Sequence, residues 1–139
     1  MTESILMERE DHAIAMLARL RQDGVHLAID DFGTGYSSLN ALRRLPVDLV
    51  KIDRSFVTNL PDDDDDASIA WTIICLAHRL GLTVLAEGVE SAEQRVALRD
   101  LGCDQAQGYL FGRPVAADTF EAELVAGPRA LKSSTTGRR

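Results

Sequence analysis

One unit recurs along this chain, and it constrains the fold more than any other feature: a helix, a glycine stop, a short apolar strand and then a polar residue. The repeats are marked by the pairs Gly24 with Asp30, Gly81 with Glu87, and Gly102 with Gln107. A strand around Lys51 fits between the first two repeats, with a proline in place of the glycine. Alternating helices and buried strands predict a parallel sheet whose strands all end on one side. The polar residues are therefore expected to converge.

Hydrophobic periodicity places the elements of this pattern. It predicts strands over Val25–Ile29, Leu49–Ile52 and Thr83–Ala86, and a weak strand ending near Gln107. The predicted helices cover Glu8–Gln22, Leu39–Leu45, the region of Ile69–Leu80, Ala92–Leu101 and residues 116–126. Ser91 and Gln94 form a capping box that starts the fourth of these helices. We expect one domain over residues 1–126 and a disordered tail over residues 127–139.

Composition and charge narrow the classes of function. The chain has 139 residues, of which 45% are hydrophobic and 27% charged, as in soluble globular proteins. No apolar run reaches the roughly 18 residues of a membrane span, and the amino terminus lacks a secretion signal, so we expect a cytoplasmic protein. A net charge of -7 argues against binding a nucleic-acid polymer. An acidic protein that handles phosphate is expected to use metal ions.

Asp30 and Asp31 are the first candidate site residues, because they follow a buried apolar strand and precede a glycine-containing loop. A carboxylate at a buried strand end loses hydration and needs a compensating cation or donor. Two adjacent carboxylates also repel each other, and an oxygen-preferring ion such as Mg²⁺ or Mn²⁺ relieves that repulsion. The alternative is that both residues cap the loop by accepting from the amides of Gly33 to Gly35.

Three further residues occupy equivalent positions at strand ends. Lys51 could neutralise a phosphate, or its ammonium could extend into solvent along an apolar stem. Glu87 could bind metal or act as a general base, or it could cap the following loop. Gln107 alone indicates little. The shared position of all five residues favours a common site over independent structural roles, since ligands of parallel α/β sheets bind at the carboxyl ends of strands.

Four ordered motifs together are more specific than their parts. They are Asp30-Asp31-Phe32-Gly33-Thr34-Gly35-Tyr36-Ser37-Ser38-Leu39, Lys51-Ile52-Asp53-Arg54-Ser55-Phe56, Ala86-Glu87-Gly88-Val89-Glu90 and Gln107-Gly108-Tyr109-Leu110-Phe111-Gly112-Arg113-Pro114. From about Met1 to Pro114 the chain resembles the EAL family of bacterial cyclic-di-GMP phosphodiesterases.

The resemblance implies a TIM-type (β/α)₈ barrel that opens cyclic-di-GMP to the linear dinucleotide with Mg²⁺ or Mn²⁺ and a metal-activated water. It implies that Asp30 and Asp31 hold the metals and that Lys51 acts near the attacking water. The resemblance implies that Glu87 is either a metal ligand or the general base, and that Gln107 positions the ligand or the water. Glu3 and Glu90 resemble glutamates that steady the loop from Asp30 to Ser38, which in the family couples catalysis to dimer contacts.

The chain also departs from the family pattern. It lacks the glutamate-alanine-leucine signature, an asparagine metal ligand and a further glutamate, all of which precede the Thr-Glu-Ser at its start. The resemblance therefore implies the carboxyl-terminal half of the barrel, about strands 5 to 8, against roughly 250 residues for a whole barrel. Such a half is expected to associate with a second copy or with the missing half, to stay partly molten or to fold poorly, and to be inactive alone. Two alternatives are a degenerate module that binds cyclic-di-GMP or a protein without catalysis, and a relic without activity.

Overall fold

The computed structural model of the chain describes residues 3–34 and 39–126. Within these residues helices and strands alternate as the sequence pattern predicts. The strands are β1 (Ala28–Phe32), β2 (Leu49–Ile52), β3 (Thr83–Ala86) and β4 (Gln105–Ala106). The α-helices are α1 (Glu3–Gln22), α2 (Leu39–Arg44), α3 (Asp64–Arg79), α4 (Ala92–Asp100) and α5 (Ala117–Ala126), and a short 3₁₀ helix covers Arg54–Phe56. None of the described helices combines the length and apolar character needed to cross a membrane.

The four strands form one sheet in the order β1-β2-β3-β4. Every neighbouring pair is parallel. The predicted parallel α/β architecture is therefore confirmed. Since the strands run in the same direction, their carboxyl ends lie along a single edge, and the residues that follow them are brought together.

The core lies where β2 and β3 meet α3. Val50, Ile52, Val84 and Ala86 are fully buried on the two central strands. Ile74 of α3 belongs to the same cluster and is 1% exposed. Each large apolar side chain buried in this way contributes about 1.5–3 kcal/mol relative to an exposed one. The two central strands thus form a firm base for the residues that extend from their ends.

The starts of α3 and α4 are fixed by side-chain caps. The Asp63 carboxylate accepts hydrogen bonds from the amides of Asp65 and Asp66. At α4 the predicted capping box is present, because Ser91 and Gln94 each accept from the other's backbone amide. The buried Gln94 side chain also donates to the Thr58 carbonyl at 3.0 Å. This last bond ties α4 to the segment that follows β2.

The predicted strand Val25–Ile29 is wrong at both ends, because β1 covers Ala28–Phe32. Val25 lies in the turn that ends α1: its amide donates to the Leu20 carbonyl, and the Gly24 amide donates to the Arg21 carbonyl. This pair of bonds is the Schellman ending of a helix, which uses a glycine with positive φ, here 87°. The alternation that starts at Val25 therefore includes residues of the turn.

Other bounds differ less from the prediction. Helix α1 begins at Glu3 rather than Glu8, and β4 contains only two residues, so Gln107 lies just beyond it. The predicted tail over residues 127–139 lies outside the described residues, as do residues 35–38 of the glycine-containing loop.

Candidate functional site

Polar side chains from all four strands meet at the carboxyl edge of the sheet. Asp30 and Asp31 lie near the end of β1, Lys51 lies in β2, and Glu87 and Gln107 directly follow β3 and β4. Carboxylate oxygens of Asp30, Asp31 and Glu87 all lie within 4.8 Å of one another. The structure therefore brings together the five residues that the strand pattern indicates.

A bulge in β1 explains how two consecutive residues reach one site. Side chains of neighbouring residues in a regular strand point to opposite faces. In β1, however, Ile29 pairs with Val50 and Phe32 pairs with Ile52, so Asp30 and Asp31 together face one residue of β2. Asp31 takes the extra position with a φ of 49°, in the left-handed region. The bulge thus lets both carboxylates contribute oxygens to the same cluster.

Lys51 links the carboxylates of the two flanking strands. Its Nζ lies 2.8 Å from Oδ1 of Asp30 and 2.5 Å from Oε1 of Glu87. The Lys51 side chain is 22% exposed. The hydrogen bonds that Lys51 donates to Asp30 and Glu87 raise the pKa of Lys51 above its ordinary value. The ammonium thus points into the cluster instead of extending freely into solvent.

The negative charge of the cluster is only partly balanced by Lys51. The hydrogen bond from Lys51 lowers the pKa of Asp30. The charge of Asp30, together with burial and the charges of Asp53 and Glu87, raises the pKa of Asp31. A raised carboxylate pKa means that Asp31 lies where further negative charge is unfavourable. A divalent cation would relieve this repulsion.

Gln107 orients Glu87. Its side-chain amide donates to Oε1 of Glu87 at 2.6 Å. The backbones of both residues are fixed by the sheet, because the Glu87 amide donates to Ile52 and the Gln107 amide donates to Ala86. Oε1 of Glu87 therefore contacts both Lys51 and Gln107.

One expectation about burial is wrong. The sequence predicts a buried strand end at Asp30, yet its side chain is 64% exposed. The reason is that the four described strands form an open sheet and leave one side of the cluster uncovered. The Glu87 side chain, between β2 and β4, is 19% exposed.

Asp53 is a site neighbour that the sequence reasoning missed. Hydrogen bonds from Ser55 lower the pKa of Asp53. Its charge acts on both Asp30 and Asp31. The sequence does contain a signal for Asp53: it lies two residues after Lys51, and alternate residues of an extended segment point to the same face.

The two glutamates assigned to loop support lie in different parts of the structure. Glu90 follows β3 and forms an ion pair with Arg54, 2.9 Å from Oε1 to the guanidinium. Glu3 is the first residue of α1, and its side chain lies outside the described residues. Their predicted action on the loop from Asp30 to Ser38 stays a prediction, since residues 35–38 are also outside the described part.

An open cleft of about 780 Å³ adjoins the cluster on the β4 side. Its lining combines cationic, polar and aromatic side chains: Arg54, Glu87, Gln107, Tyr109, Phe111 and Arg113. The Arg113 guanidinium lies over the Tyr109 ring, 4.6 Å from its centroid. Cations and aromatic faces suit phosphates and flat heterocycles. The cleft has room for a ligand that also reaches Glu87.

Comparisons with known proteins give a consistent result. The model of the EAL domain family matches residues 1–114. The chain is 51% identical over 123 residues to the cyclic di-GMP phosphodiesterase NbdA of Pseudomonas aeruginosa, covering 88% of this chain and 16% of NbdA.

Solved structures agree with the sequence matches. The MucR phosphodiesterase of Pseudomonas aeruginosa in complex with c-di-GMP superposes with a TM-score of 0.74 at 47% identity, covering 86% of this chain and 49% of that one. Klebsiella pneumoniae BlrP1, in a manganese and cyclic-di-GMP complex, gives a TM-score of 0.66 at 40% identity, covering 72% and 26%. The chain thus spans about half of the solved MucR chain and a smaller share of the other two relatives.

Proposed function

The chain belongs to the EAL domain family, and on that basis we propose that residues 1–126 form the carboxyl-terminal half of a site that hydrolyses cyclic-di-GMP to the linear dinucleotide. The observation that carries this proposal is the cluster itself. Oxygens from Asp30, Asp31 and Glu87 converge within 4.8 Å, beside a lysine ammonium. NbdA, with 51% identity, is named as a cyclic di-GMP phosphodiesterase.

The donor set suits a hard divalent cation. It offers only carboxylate oxygens, which Mg²⁺ and Mn²⁺ prefer over nitrogen or sulfur ligands. The raised pKa of Asp31, caused first by the charge of Asp30, shows excess negative charge at this point. We therefore assign Mg²⁺ or Mn²⁺ to Asp30, Asp31 and Glu87. Such an ion would balance the carboxylates, polarise a phosphodiester and lower the pKa of a water.

The other residues orient and balance the reacting groups. Lys51 is held between Asp30 and Glu87, and in this proposal its positive charge would act on the attacking water and the phosphate. Gln107 holds Glu87 in one orientation through its 2.6 Å hydrogen bond and offers its amide to ligand or water. Glu87 serves as a metal ligand or as the base that accepts the proton of the water.

Turnover in this proposal needs residues beyond the described four strands. The chain corresponds to 49% of the solved MucR phosphodiesterase, and the sheet leaves the Asp30 side of the cluster open. The other half of the barrel, on the same polypeptide or on another, would supply the remaining ligands. The proposal therefore includes inactivity of the 139 residues alone and association with that half, or with a second copy. It also includes a cytoplasmic location.

A metal-dependent hydrolysis assay tests the proposal. The 139-residue chain and a version that also carries the amino-terminal half of the barrel would be incubated with cyclic-di-GMP and Mg²⁺ or Mn²⁺. We expect linear dinucleotide only from the longer version. Chelation of the metal should abolish the product.

Matched variants make this assay specific. Glu87→Gln and Asp31→Asn in the longer version should each lower kcat by a hundredfold or more, as removal of a catalytic electrostatic group does. Glu93→Gln, on the exposed start of α4, is the control and should leave kcat unchanged. Hydrolysis by the 139 residues alone would contradict the proposed need for the other half. Binding of cyclic-di-GMP without product in the longer version would favour the non-catalytic module.

A further inference from the structure

Two aspartates at the amino-terminal edge of the sheet complete the hydrogen bonding of a neighbouring segment. Asp104 precedes β4, and its Oδ2 accepts from the Val84 amide of β3 at 2.8 Å. Asp48 precedes β2, and its Oδ2 accepts from the Leu27 amide at 3.1 Å. In both places the side-chain carboxylate accepts a hydrogen bond from a backbone amide. In a longer parallel ladder, a backbone carbonyl of the neighbouring strand would accept that bond. This edge is opposite the candidate site.

At β3 and β4 this device adds to a short ladder, which is continued by backbone bonds from the Gln107 amide to Ala86 and from the Val89 amide to Gln107. Only two residue pairs join the strands, Leu85 with Gln105 and Ala86 with Ala106. Val84 is fully buried, so its amide needs a partner within the protein. Asp104 provides that partner. Its carboxylate thus adds one more hydrogen-bonded position to a ladder of two pairs.

A basic side chain at the end of the helix before the neighbouring strand contacts each carboxylate. Nε2 of His78, at the end of α3, lies 2.9 Å from Oδ2 of Asp104. Arg21, at the end of α1, lies 2.7 Å from Asp48. Desolvation raises the pKa of Asp104, but hydrogen bonds from His78 and from the Val84 amide outweigh it and hold the pKa below its usual value. Asp104 is therefore ionised and anchored at neutral pH.

We propose that Asp104 is a positioning residue for Gln107. Gln107 lies three residues after Asp104, and its side chain reaches Glu87 only if β4 keeps its register on β3. A slip of one residue would turn every side chain of β4 to the opposite face. The Gln107 amide would then point away from the Glu87 carboxylate, which it now contacts at 2.6 Å. Asp104 opposes that slip at the start of β4 by holding Val84, whereas the bond from the Gln107 amide to Ala86 acts at its end.

Nuclear magnetic resonance of the ¹⁵N-labelled 139-residue chain tests this inference without substrate, metal or turnover. Two quantities are measured: the exchange rate of the Val84 amide relative to that of Val50 in β2, and the side-chain amide signals of Gln107. In Asp104→Ala we expect Val84 to exchange about tenfold faster or more, as for loss of a charge-assisted bond. We also expect the Gln107 signals to shift toward those of a free glutamine.

Two further variants separate positioning from general stability. Asp104→Asn keeps an oxygen that accepts from Val84, so both measurements should stay close to wild type. Asp104→Glu keeps the charge but is one methylene longer, so the Gln107 signals should shift even if Asp104→Ala does not fold. Asp100→Ala, at the exposed end of α4, is the matched control for loss of a carboxylate.

The inference is overturned if the Gln107 signals stay at their wild-type positions in Asp104→Ala or Asp104→Glu, whatever happens to Val84 exchange. It is also overturned if Asp104→Asn shifts them as far as Asp104→Ala does. The inference concerns the site of the proposed function. A negative result in the hydrolysis assay would not affect it, because the Val84 exchange rate and the Gln107 signals are measured without substrate.

Discussion

In the proposed site, Lys51 is the residue that would compete with a metal ion for the carboxylates. Its ammonium contacts the carboxylates of Asp30 and Glu87 that a divalent cation would also contact. We expect Lys51→Met to bind Mn²⁺ about tenfold more tightly, because a nearby positive charge is removed. Titration calorimetry of the 139-residue chain with Mn²⁺ measures this change. In the longer version, the same substitution should lower turnover.

The control for Lys51→Met is Arg95→Met, which removes an exposed positive charge from α4. It should leave Mn²⁺ affinity unchanged. Weaker Mn²⁺ binding by Lys51→Met would show that the lysine supports the metal site rather than competes with the ion.

Asp48 gives a stability change with a defined pH dependence. The hydrogen bond from the Leu27 amide and the charge of Arg21 lower the pKa of Asp48. A carboxyl group with a lowered pKa stabilises the folded state above its ordinary pKa, and that contribution is lost as the pH falls through the lowered value. We therefore expect Asp48→Asn to lower Tm at pH 7, and the difference from wild type to shrink below about pH 4.

Thermal unfolding of both proteins over a pH series measures the effect at Asp48. Asp100→Asn is the comparison, since the Asp100 carboxylate pairs with an exposed arginine and such pairs contribute little. A difference for Asp48→Asn that stays constant from pH 7 to pH 3 would contradict the expected linkage.

At the scale of the element, the turn after β4 depends on Gly108. A Cβ at this position would lie 2.2 Å from the Val89 carbonyl oxygen, and the φ of Gly108 is 156°. Backbone atoms cannot move away as a flexible side chain can. We expect Gly108→Ala to lower the free energy of unfolding by about 2 kcal/mol or more.

Gly112 supplies the matched control for Gly108. A Cβ there would meet no atom of the described residues within 4 Å, so Gly112→Ala should change stability by less than about 0.5 kcal/mol. Urea denaturation of the two variants and the wild type gives both values. If the two alanine variants had equal free energies of unfolding, the turn would accommodate the Cβ at position 108 and the prediction would be contradicted.

The strands whose bounds were predicted correctly are those in which every apolar residue of the run belongs to the strand itself. Strands β2 and β3 match their predicted bounds, because both are short apolar runs between clear stops. Strand β1 does not match, because the turn after α1 includes apolar Val25 and thus continues the alternation. The bulge at Asp31 could not be predicted from the sequence either, because no glycine marks the residue with positive φ. Strand direction alone predicts that the site residues converge, whereas their individual contacts depend on side-chain conformations that the sequence pattern does not specify.

At the scale of the whole molecule, the described sheet has two strands with one neighbour each. β1 pairs only with β2, and β4 pairs only with β3. Unpaired edges of parallel strands and exposed aromatic side chains such as Phe111 and Phe120 favour association. We expect sedimentation velocity to show concentration-dependent association of the 139-residue chain.

Addition of the separately produced amino-terminal half of the barrel should shift this sample toward a single species of one copy of each half. The matched control is an unrelated soluble protein of similar size, which should have no effect. A monomer at every concentration, with the added half unbound, would contradict the expected association.

The bulge in β1 has a consequence for how this sequence tolerates changes in length. One residue more than regular pairing requires lies between Ile29 and Phe32, and that surplus carries the paired carboxylates. Deletion of either aspartate would restore regular pairing of β1 with β2, while the cluster would lose one carboxylate. A deletion of one residue could therefore leave the sheet folded and still remove a carboxylate from the cluster. An intact fold alone does not guarantee an intact site.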